Sequence, residues 1–253
     1  MIEKLERVVV AVDDLDAAVH DYQLLLGRAA DAGPGATPPE EGALFVLRNT
    51  TLQLVDRATT EIAGRLSAEP GVAALVFQEE GRGEGEWLDL DETRGLPVAL
   101  SRDDREASAL APESAPSAET VAALDHVVIS TSDLDAARAF YGERLGLRLA
   151  LDRKFPKRGI QILFYRTGGT TVEVVGALSG GDRAEGISGT GGAPEDRFGG
   201  LAWEVEDVDA IHRRLARESF DLSAVRDGHK PGTRVCTVRG PTHAVPTLLK
   251  GPD

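Results

Sequence analysis

The sequence contains very little sulfur and few aromatic residues. Among its 253 residues there is one cysteine, Cys236, and one methionine, and Phe, Trp and Tyr together make up 5%. A single cysteine excludes an intrachain disulfide and favours a reducing, cytoplasmic compartment. Zinc-finger spacings, phosphate-binding loops and nucleophile elbows are also missing from the sequence, which excludes several common classes of site.

Long apolar runs and an excess of basic residues are missing as well. The first residues, MIEKLERVVVAVDD, include only a short apolar run, so we expect neither a signal peptide nor a membrane span there. The formal net charge of −14 argues against nucleic acid or an anionic membrane as a partner. Residues 1–120 hold 10 Lys and Arg against 24 Asp and Glu, whereas residues 121–253 hold 18 of each. Only the second half has positive charge to spare for an anionic ligand.

Two long stretches of the chain repeat each other. LERVVVAVDDLDAA, which begins at Leu5, corresponds to LDHVVISTSDLDAA, which begins at Leu124, and LRNTTLQLVD corresponds to RTGGTTVEVVG. The second match places Gln53 opposite Glu173. Such a repeat predicts one structural unit used twice. Residues 103–120 are rich in Ala, Ser, Pro and Glu and predict a linker between domains at 1–102 and 121–253.

The hydrophobic pattern predicts a strand, a helix and three further strands in each repeat. Asp13 and Ser132 stand at the expected helix starts, and Gly27 and Gly146 at the expected ends. A second unit of this kind follows in the second domain, and a degenerate one in the first, where TEIAGRLSA is predicted to be helical and GVAALVFQ and LPVALSR to be strands. The Gly-rich segment Ser179–Gly200 predicts a flexible connection.

Four segments of the second half resemble the vicinal oxygen chelate superfamily, which contains glyoxalases, extradiol dioxygenases, epimerases and bleomycin resistance proteins. They are LDHVVISTSDLDAARAFYGERLGLRL, TTVEVV, LAWEVEDVDAIHRRL and GTRVCTVRGPTHAVPTLL, and the first half resembles the same group more weakly. The resemblance implies an α+β fold of two tandem domains. Each domain would be a curved mixed sheet made of paired βαβββ units, with its helices on the convex face.

In metal-dependent members of that superfamily, four ligands come from the first and last strands of the paired units. The resemblance places the two ligands of the first unit on His126 and Glu173, while those of the second unit fall on Gly200 and near Thr247, which supply no histidine or carboxylate. It therefore implies either no cofactor or one divalent metal ion in an incomplete site. In the first domain the matching positions are Arg7, Gln53, about Val72 and a stretch around Val98, which implies a structural or binding copy.

Strand alternation places polar residues of the second domain on one concave face. His126 and Ser130 share a face of one strand, and Glu173 lies on the same face of another. We predict His126 and Glu173 as catalytic residues, and Ser130, Glu204 and Arg234 as substrate-binding residues. The His126 and Glu173 pair could hold one edge of a metal, act as an acid and base without metal, or be a hydrogen-bonded pair with no chemistry.

Two basic segments, DRKFPKRG and RDGHKPGTR, occupy equivalent strand connections in the two units of the second domain. At the mouth of a cleft they would attract a carboxylate, phosphate or thioester-nucleotide ligand; otherwise they are solvated hairpin tips. Three hypotheses remain open at this stage: a lyase, isomerase or dioxygenase-type enzyme acting on a small oxygenated molecule, a metal-free small-molecule binder such as an antibiotic-sequestering protein, or a structural protein. A monomer or homodimer is expected.

Overall fold

The computed structural model describes residues 1–32, 42–82, 85–101, 117–178 and 196–253. The fold is α+β, with the strands of each half gathered into one large mixed sheet. The described residues of the first half form one helix, α1 (Leu15–Leu26), and the strands β1 (Ile2–Val12), β2 (Asp31–Ala32), β3 (Ala43–Val46), β4 (Thr51–Asp56), β5 (Glu61–Ile62), β6 (Arg65–Leu66), β7 (Gly71–Glu79), β8 (Glu86–Trp87) and β9 (Val98–Ser101).

Where the structure describes the second half, an α-helix follows each of its two central strands. Helix α2 (Leu134–Ala137) continues as a π-helix (Arg138–Arg144), a short 3₁₀ turn spans Pro156–Arg158, and α3 covers Val208–Arg217. The strands are β10 (Val121–Thr131), β11 (Arg148–Phe155), β12 (Ile160–Thr167), β13 (Thr170–Ala177), β14 (Arg197–Val205), β15 (Asp221–Leu222), β16 (Arg226–Asp227), β17 (Thr233–Gly240) and β18 (Thr247–Pro252).

The two sheets have the same arrangement at their centres. The strand orders are β2-β3-β4-β1-β7-β9-β8 and β11-β12-β13-β10-β14-β18-β17-β15, with β16 paired to β17. In each sheet the first strand runs antiparallel to one neighbour and parallel to the other, and the parallel registers agree, since Val9 lies opposite Gln53 and Val128 opposite Glu173. The repeat in the sequence is therefore a repeat in structure.

Helix starts and ends follow from local side chains. The Asp14 carboxylate accepts a hydrogen bond from the backbone of Ala17 at the start of α1, and Asp133 caps α2 in the same way. Both caps lie one residue beyond the predicted Asp13 and Ser132. Helix α1 ends at Gly27, whose φ of +69° is a left-handed conformation that favours glycine.

The helices pack on one face of each sheet over a core that both halves share. One continuous apolar cluster includes Tyr22 and Phe45 of the first half together with Leu124, Tyr141 and Trp203 of the second. The burial of so much apolar surface across the junction stabilises the two halves together. No helix in the described ranges is both long and apolar enough to cross a membrane.

The opposite face of the first sheet is filled by the first half itself. A second apolar cluster there contains Val9, Ala11 and Val76, with Ile62 and Trp87 packed on it. This arrangement corrects the helix predicted in TEIAGRLSA. Residues Ala63 and Gly64 adopt positive φ values of 51° and 75° and turn the segment into the hairpin β5-β6. Most of the predicted linker lies outside the described residues, and so does most of the Gly-rich segment.

Candidate functional site

A β-bulge in the central strand β10 brings two polar side chains to the same place. Leu124 lies opposite Trp203 and His126 opposite Ala202, so Asp125 is an extra residue without a partner across the antiparallel pair. A bulge changes the direction of the side chains around it and is common beside active sites. As a result, Asp125 lies next to His126 in space, with 2.7 Å between Oδ2 and the ring nitrogen Nδ1.

The carboxylates around His126 define the orientation of its ring. Nδ1 donates its proton to Asp125, and Oε1 of Glu173 lies 3.5 Å from the same nitrogen. Nε2 has no hydrogen-bond partner within the described part of the chain. A histidine held through one ring nitrogen presents the other to a ligand in a fixed direction. The structure thus brings His126 and Glu173 together, and adds Asp125 to them.

Lys250 of β18 completes this group. Its Nζ lies 2.8 and 2.9 Å from the two carboxylate oxygens of Asp125. Burial alone would raise the pKa of Asp125, but hydrogen bonds from His126 and Lys250 outweigh burial and lower that pKa to about 2. Asp125 therefore stays ionised and keeps both partners in place.

Sequence reasoning missed both Asp125 and Lys250. For Asp125 a signal existed, because the repeat has an acidic residue, Glu6, at the matching position before Arg7. The first sheet has the same bulge between Leu5 and Arg7. For Lys250 the sequence offers no signal, since its contact depends on how β18 pairs with β14.

Glu173 has a pKa raised above the usual value of a glutamate. It lies opposite Phe164 of β12 and beside Val128 of β10, so its carboxylate is partly enclosed by apolar side chains. Burial raises its pKa, and the positive charge at His126 opposes that change without cancelling it. A carboxylate with a raised pKa is a stronger base than a solvated one, which suits it to proton transfer.

The remaining predicted ligand-binding residues lie in different surroundings. Ser130 is on the same face of β10 as His126 but further along the strand, and no described contact joins it to His126. Glu204 pairs with Arg48 of the first half at 2.8 Å. Arg234 shares a strand face with the buried Cys236 and binds Asp209 of α3 at 3.3 Å. The structure therefore places Arg234 on the helix side of the sheet, rather than in the cleft as predicted.

The positions that would complete a metal site carry no ligand. Gly200 lies opposite Val128 just as His126 lies opposite Ala202, which makes Gly200 the counterpart of His126 in the second unit. The parallel register makes Leu248, one residue after the predicted Thr247, the counterpart of Glu173. Thr247 instead donates its hydroxyl to the carbonyl of Val245.

Gly200 also has no space for a side chain. Its φ is +144°, and an added Cβ would lie 2.4 Å from the carbonyl oxygen of Pro246. In the described ranges no group of three or more His, Cys, Asp and Glu residues is arranged to hold a metal. The donor set here does not fit a four-ligand divalent site.

The equivalent position in the first half is occupied by a buried hydrogen bond. Arg7 Nη1 donates to Gln53 Oε1 at 2.8 Å, and these two residues are the counterparts of His126 and Glu173. Burial lowers the pKa of Arg7, and neighbouring Glu6 opposes that change. Apolar side chains fill the rest of that sheet face in the first half, whereas the face that carries His126 in the second half stays partly exposed at Val128, Ser130 and Val175.

The two basic hairpins of the second half meet. Nη2 of Arg158, between β11 and β12, lies 3.1 Å from Nε2 of His229, between β16 and β17. These hairpins belong to opposite ends of the strand order, so their contact shows how far the sheet curls. Exposed cations surround the contact, namely Arg153, Lys154, Lys157 and Lys230. The curled sheet therefore has a strongly positive rim.

Comparisons with known proteins agree with this fold. Residues 125–237 match the Glyoxalase/Bleomycin resistance protein/Dioxygenase superfamily. An ethylmalonyl-CoA/methylmalonyl-CoA epimerase of Cereibacter sphaeroides is 30% identical over 92 residues, which cover 36% of this chain and 67% of that protein. The mitochondrial methylmalonyl-CoA epimerase of Bos taurus is 28% identical over 89 residues, 35% of this chain and 48% of its own length.

A crystal structure of methylmalonyl-CoA epimerase from Mycobacterium tuberculosis has 26% sequence identity and a TM-score of 0.42, and the match covers 53% of this chain and 89% of that one. The chain spans about two thirds of the first curated relative and about half of the second. From the sequence matches, this chain belongs to the Glyoxalase/Bleomycin resistance protein/Dioxygenase superfamily, which is the vicinal oxygen chelate superfamily.

Proposed function

We propose that the second half binds a small oxygenated anion in its concave sheet and moves a proton on the carbon next to a carbonyl group, as an isomerase- or lyase-type enzyme. The observation that carries this proposal is the group formed by His126, Asp125 and Glu173, in which a perturbed carboxyl lies 3.5 Å from an oriented histidine. Such a pair is suited to general acid and base catalysis. We assign residues 121–253 to the functional domain and residues 1–102 to a structural one.

In this proposal Glu173 is the base. Its carboxylate removes the proton from the carbon, the electron pair of the C–H bond moves into the carbonyl group, and an enolate forms. When both nitrogens of His126 carry protons, Nδ1–H is held by Asp125 and Nε2–H donates to the enolate oxygen. Glu173 then returns a proton to the same carbon: this gives exchange with solvent when the enolate keeps its position, and inversion when the enolate presents its other face to Glu173 first. No step requires a metal, in keeping with the glycine and leucine at the other two ligand positions.

The positive rim indicates the class of substrate. Arg158 and His229 meet at the rim, and the sheet face that carries Glu173 includes the apolar residues Ile162, Phe164 and Val175. An acyl thioester of a phosphorylated carrier has an apolar part, a carbonyl group and negative charge, which match these three features. The names of the two curated relatives, both epimerases of acyl-CoA thioesters, support the same class. A cytoplasmic location fits the buried free thiol of Cys236.

A non-catalytic binder is the second candidate, and the Gly200 and Leu248 positions favour it. A protein that only sequesters a ligand needs no metal donors at those positions, and the hydrogen-bonded group around His126 would then fix the orientation of the ligand. The two candidates differ in whether the bound molecule exchanges a carbon-bound proton.

The test is solvent exchange in D₂O. Methylmalonyl-CoA, ethylmalonyl-CoA and propionyl-CoA are incubated with protein, and deuterium incorporation is followed by mass spectrometry. We expect exchange with at least one thioester, reduced by about 100-fold or more in Glu173→Gln and His126→Gln. Glu206→Gln, at an exposed carboxylate just beyond β14, is the matched control and should exchange normally. Binding by the wild type without exchange would instead support the binder.

A further inference from the structure

Asn49, in the turn between β3 and β4 of the first half, contacts the central strand of the second half. Its Oδ1 accepts a hydrogen bond from the backbone N–H of Leu124 at 3.0 Å, and its Nδ2 donates to the carbonyl of Leu124 at 2.9 Å. Nδ2 also lies 3.0 Å from the hydroxyl of Thr170 and 3.3 Å from the carbonyl of Gly169. One side chain thus satisfies both backbone groups of a buried residue.

Leu124 needs this partner because its own sheet cannot supply one on that side. The pairing of β10 with β13 begins at His126 and Thr171, two residues beyond Leu124. A buried backbone N–H or C=O without a partner costs free energy comparable to a lost hydrogen bond. The amide of Asn49 therefore supplies the hydrogen bonds that β13 does not make to Leu124.

The residue held by Asn49 immediately precedes the bulge at Asp125. The same turn makes a second contact two residues earlier in β10, where the backbone N–H of Arg48 donates to the carbonyl of Ala122 at 3.2 Å. The Arg48 guanidinium also pairs with Glu204 on the cleft side of β14. The turn thus holds β10 directly before Asp125 and His126, the two residues whose side chains form the candidate site.

This arrangement is not reciprocal. In the repeat Asn49 corresponds to Gly169, so the equivalent turn of the second half has no side chain to offer. That turn packs directly against the backbone of β1 instead, where a Cβ on Gly168 would lie 2.7 Å from the Cα of Lys4. Between these two equivalent turns, therefore, a side-chain amide reaches only the half that carries His126.

We propose that Asn49 is a positioning residue for the site of the second half: it holds Leu124 so that the bulge keeps Asp125 on Nδ1 of His126. The proposal rests on the function proposed above for that site. In this proposal the first half has a role in the function of the second, because it completes the hydrogen bonding of β10, the strand that carries Asp125 and His126.

The test compares Asn49→Ala and Asn49→Asp with a control at the same junction. Asp is close to Asn in size and keeps the acceptor for Leu124 N–H, but it lacks the donor for the Leu124 carbonyl. The control is Arg214→Ala, which removes hydrogen bonds from α3 to the carbonyls of Leu24, Leu25 and Glu119. Arg214 contacts neither the bulge nor His126 in the described structure. Three quantities are measured: the unfolding temperature, the ¹⁵N signals of the His126 ring, and kcat and KM for deuterium exchange.

We expect Asn49→Ala to change the ring ¹⁵N signals of His126, assigned by their loss in His126→Gln, and to lower kcat by about 10-fold with a smaller change in KM. Asn49→Asp should show a smaller change in the same direction. Arg214→Ala should lower the unfolding temperature but leave the His126 signals and kcat as in the wild type.

A destabilised Asn49→Ala protein with unchanged His126 signals would show that Asn49 is merely structural and would overturn the proposal. If Asn49→Ala does not fold, Asn49→Asp decides the question by the same signals. If the wild type exchanges no thioester, the proposed function fails, whereas the ring signals still decide whether Asn49 positions His126. The two failures are therefore distinguishable.

Discussion

Asp125 has a lysine and a histidine as partners, and its ionisation links the site to stability. With a pKa lowered to about 2 in the folded chain, its stabilising contribution is fully present above about pH 4 and is lost as the pH falls towards 2. The shift corresponds to about 2 kcal/mol. Because Lys250 and His126 both depend on this carboxylate, its removal should affect stability and site geometry together.

We predict that Asp125→Asn lowers the free energy of unfolding by about 2 kcal/mol at neutral pH. The difference from the wild type should shrink as the pH falls from about 4 to about 2, because the wild-type carboxylate becomes protonated in that range. Urea unfolding at several pH values measures this difference. A difference that stays constant down to the lowest pH would contradict the assigned pairing.

Gly200 occupies a position where the backbone conformation excludes a side chain. We predict that Gly200→Ala destabilises the fold by about 1–3 kcal/mol or more, because the φ of +144° and the carbonyl of Pro246 both oppose a Cβ. The control is Gly146→Ala, where φ is +67° and no atom lies within 4 Å of an added Cβ, so only backbone strain is tested. Thermal unfolding of both variants measures the difference; equal losses would show that Pro246 gives way.

At the scale of elements, the two basic hairpins of the second half act as one rim. We predict that Lys157→Glu and Lys230→Glu each weaken binding of an acyl-CoA thioester, and that the wild-type affinity falls as salt is added, because exposed charges are screened. Arg217→Glu, an exposed cation on α3 at the opposite face, is the control and should bind normally. Calorimetric titration at two ionic strengths measures the affinity of each variant. Equal weakening in the Arg217→Glu control would show that the effect comes from total charge and is not specific to the rim.

Much of the fold could be predicted from the sequence because the elements are encoded locally. The alternating segments of β10 and β13 and the capped starts of α1 and α3 are recognisable within about a dozen residues. The choice of His126 and Glu173 came from the resemblance to the superfamily, and strand alternation predicted that they share one face. The hairpin β5-β6 was mispredicted because its conformation depends on two consecutive positive φ angles at Ala63 and Gly64.

The rest of the site could not be predicted, since it depends on contacts between distant segments. Lys250 reaches Asp125 only because β18 lies beside β14, and Asn49 reaches Leu124 only because the halves pack against each other. Arg234 was predicted to bind substrate as part of the basic segment RDGHKPGTR, but strand alternation within β17 places it with Cys236 on the helix side.

At the scale of the whole molecule, the shared core predicts that both halves unfold together. The chain has two tryptophans, Trp87 in the first half and Trp203 in the second, so each can report on one half. We predict that Trp87→Phe and Trp203→Phe proteins, followed by fluorescence of the remaining tryptophan, each show a transition that coincides with loss of secondary structure by circular dichroism. Two transitions at different temperatures would mean that the core does not couple the halves.

The hydrogen bonds from Asn49 to Leu124 also bear on how such a chain changes after gene duplication. Once a side chain of one copy satisfies the backbone of the other, residues at the site positions of the first copy, here Arg7 and Gln53, are free to change while the chain still needs that copy. Selection on the second copy alone then preserves the first. A descendant that discarded residues 1–102 would leave two buried backbone groups of Leu124 without partners until another chain supplied them.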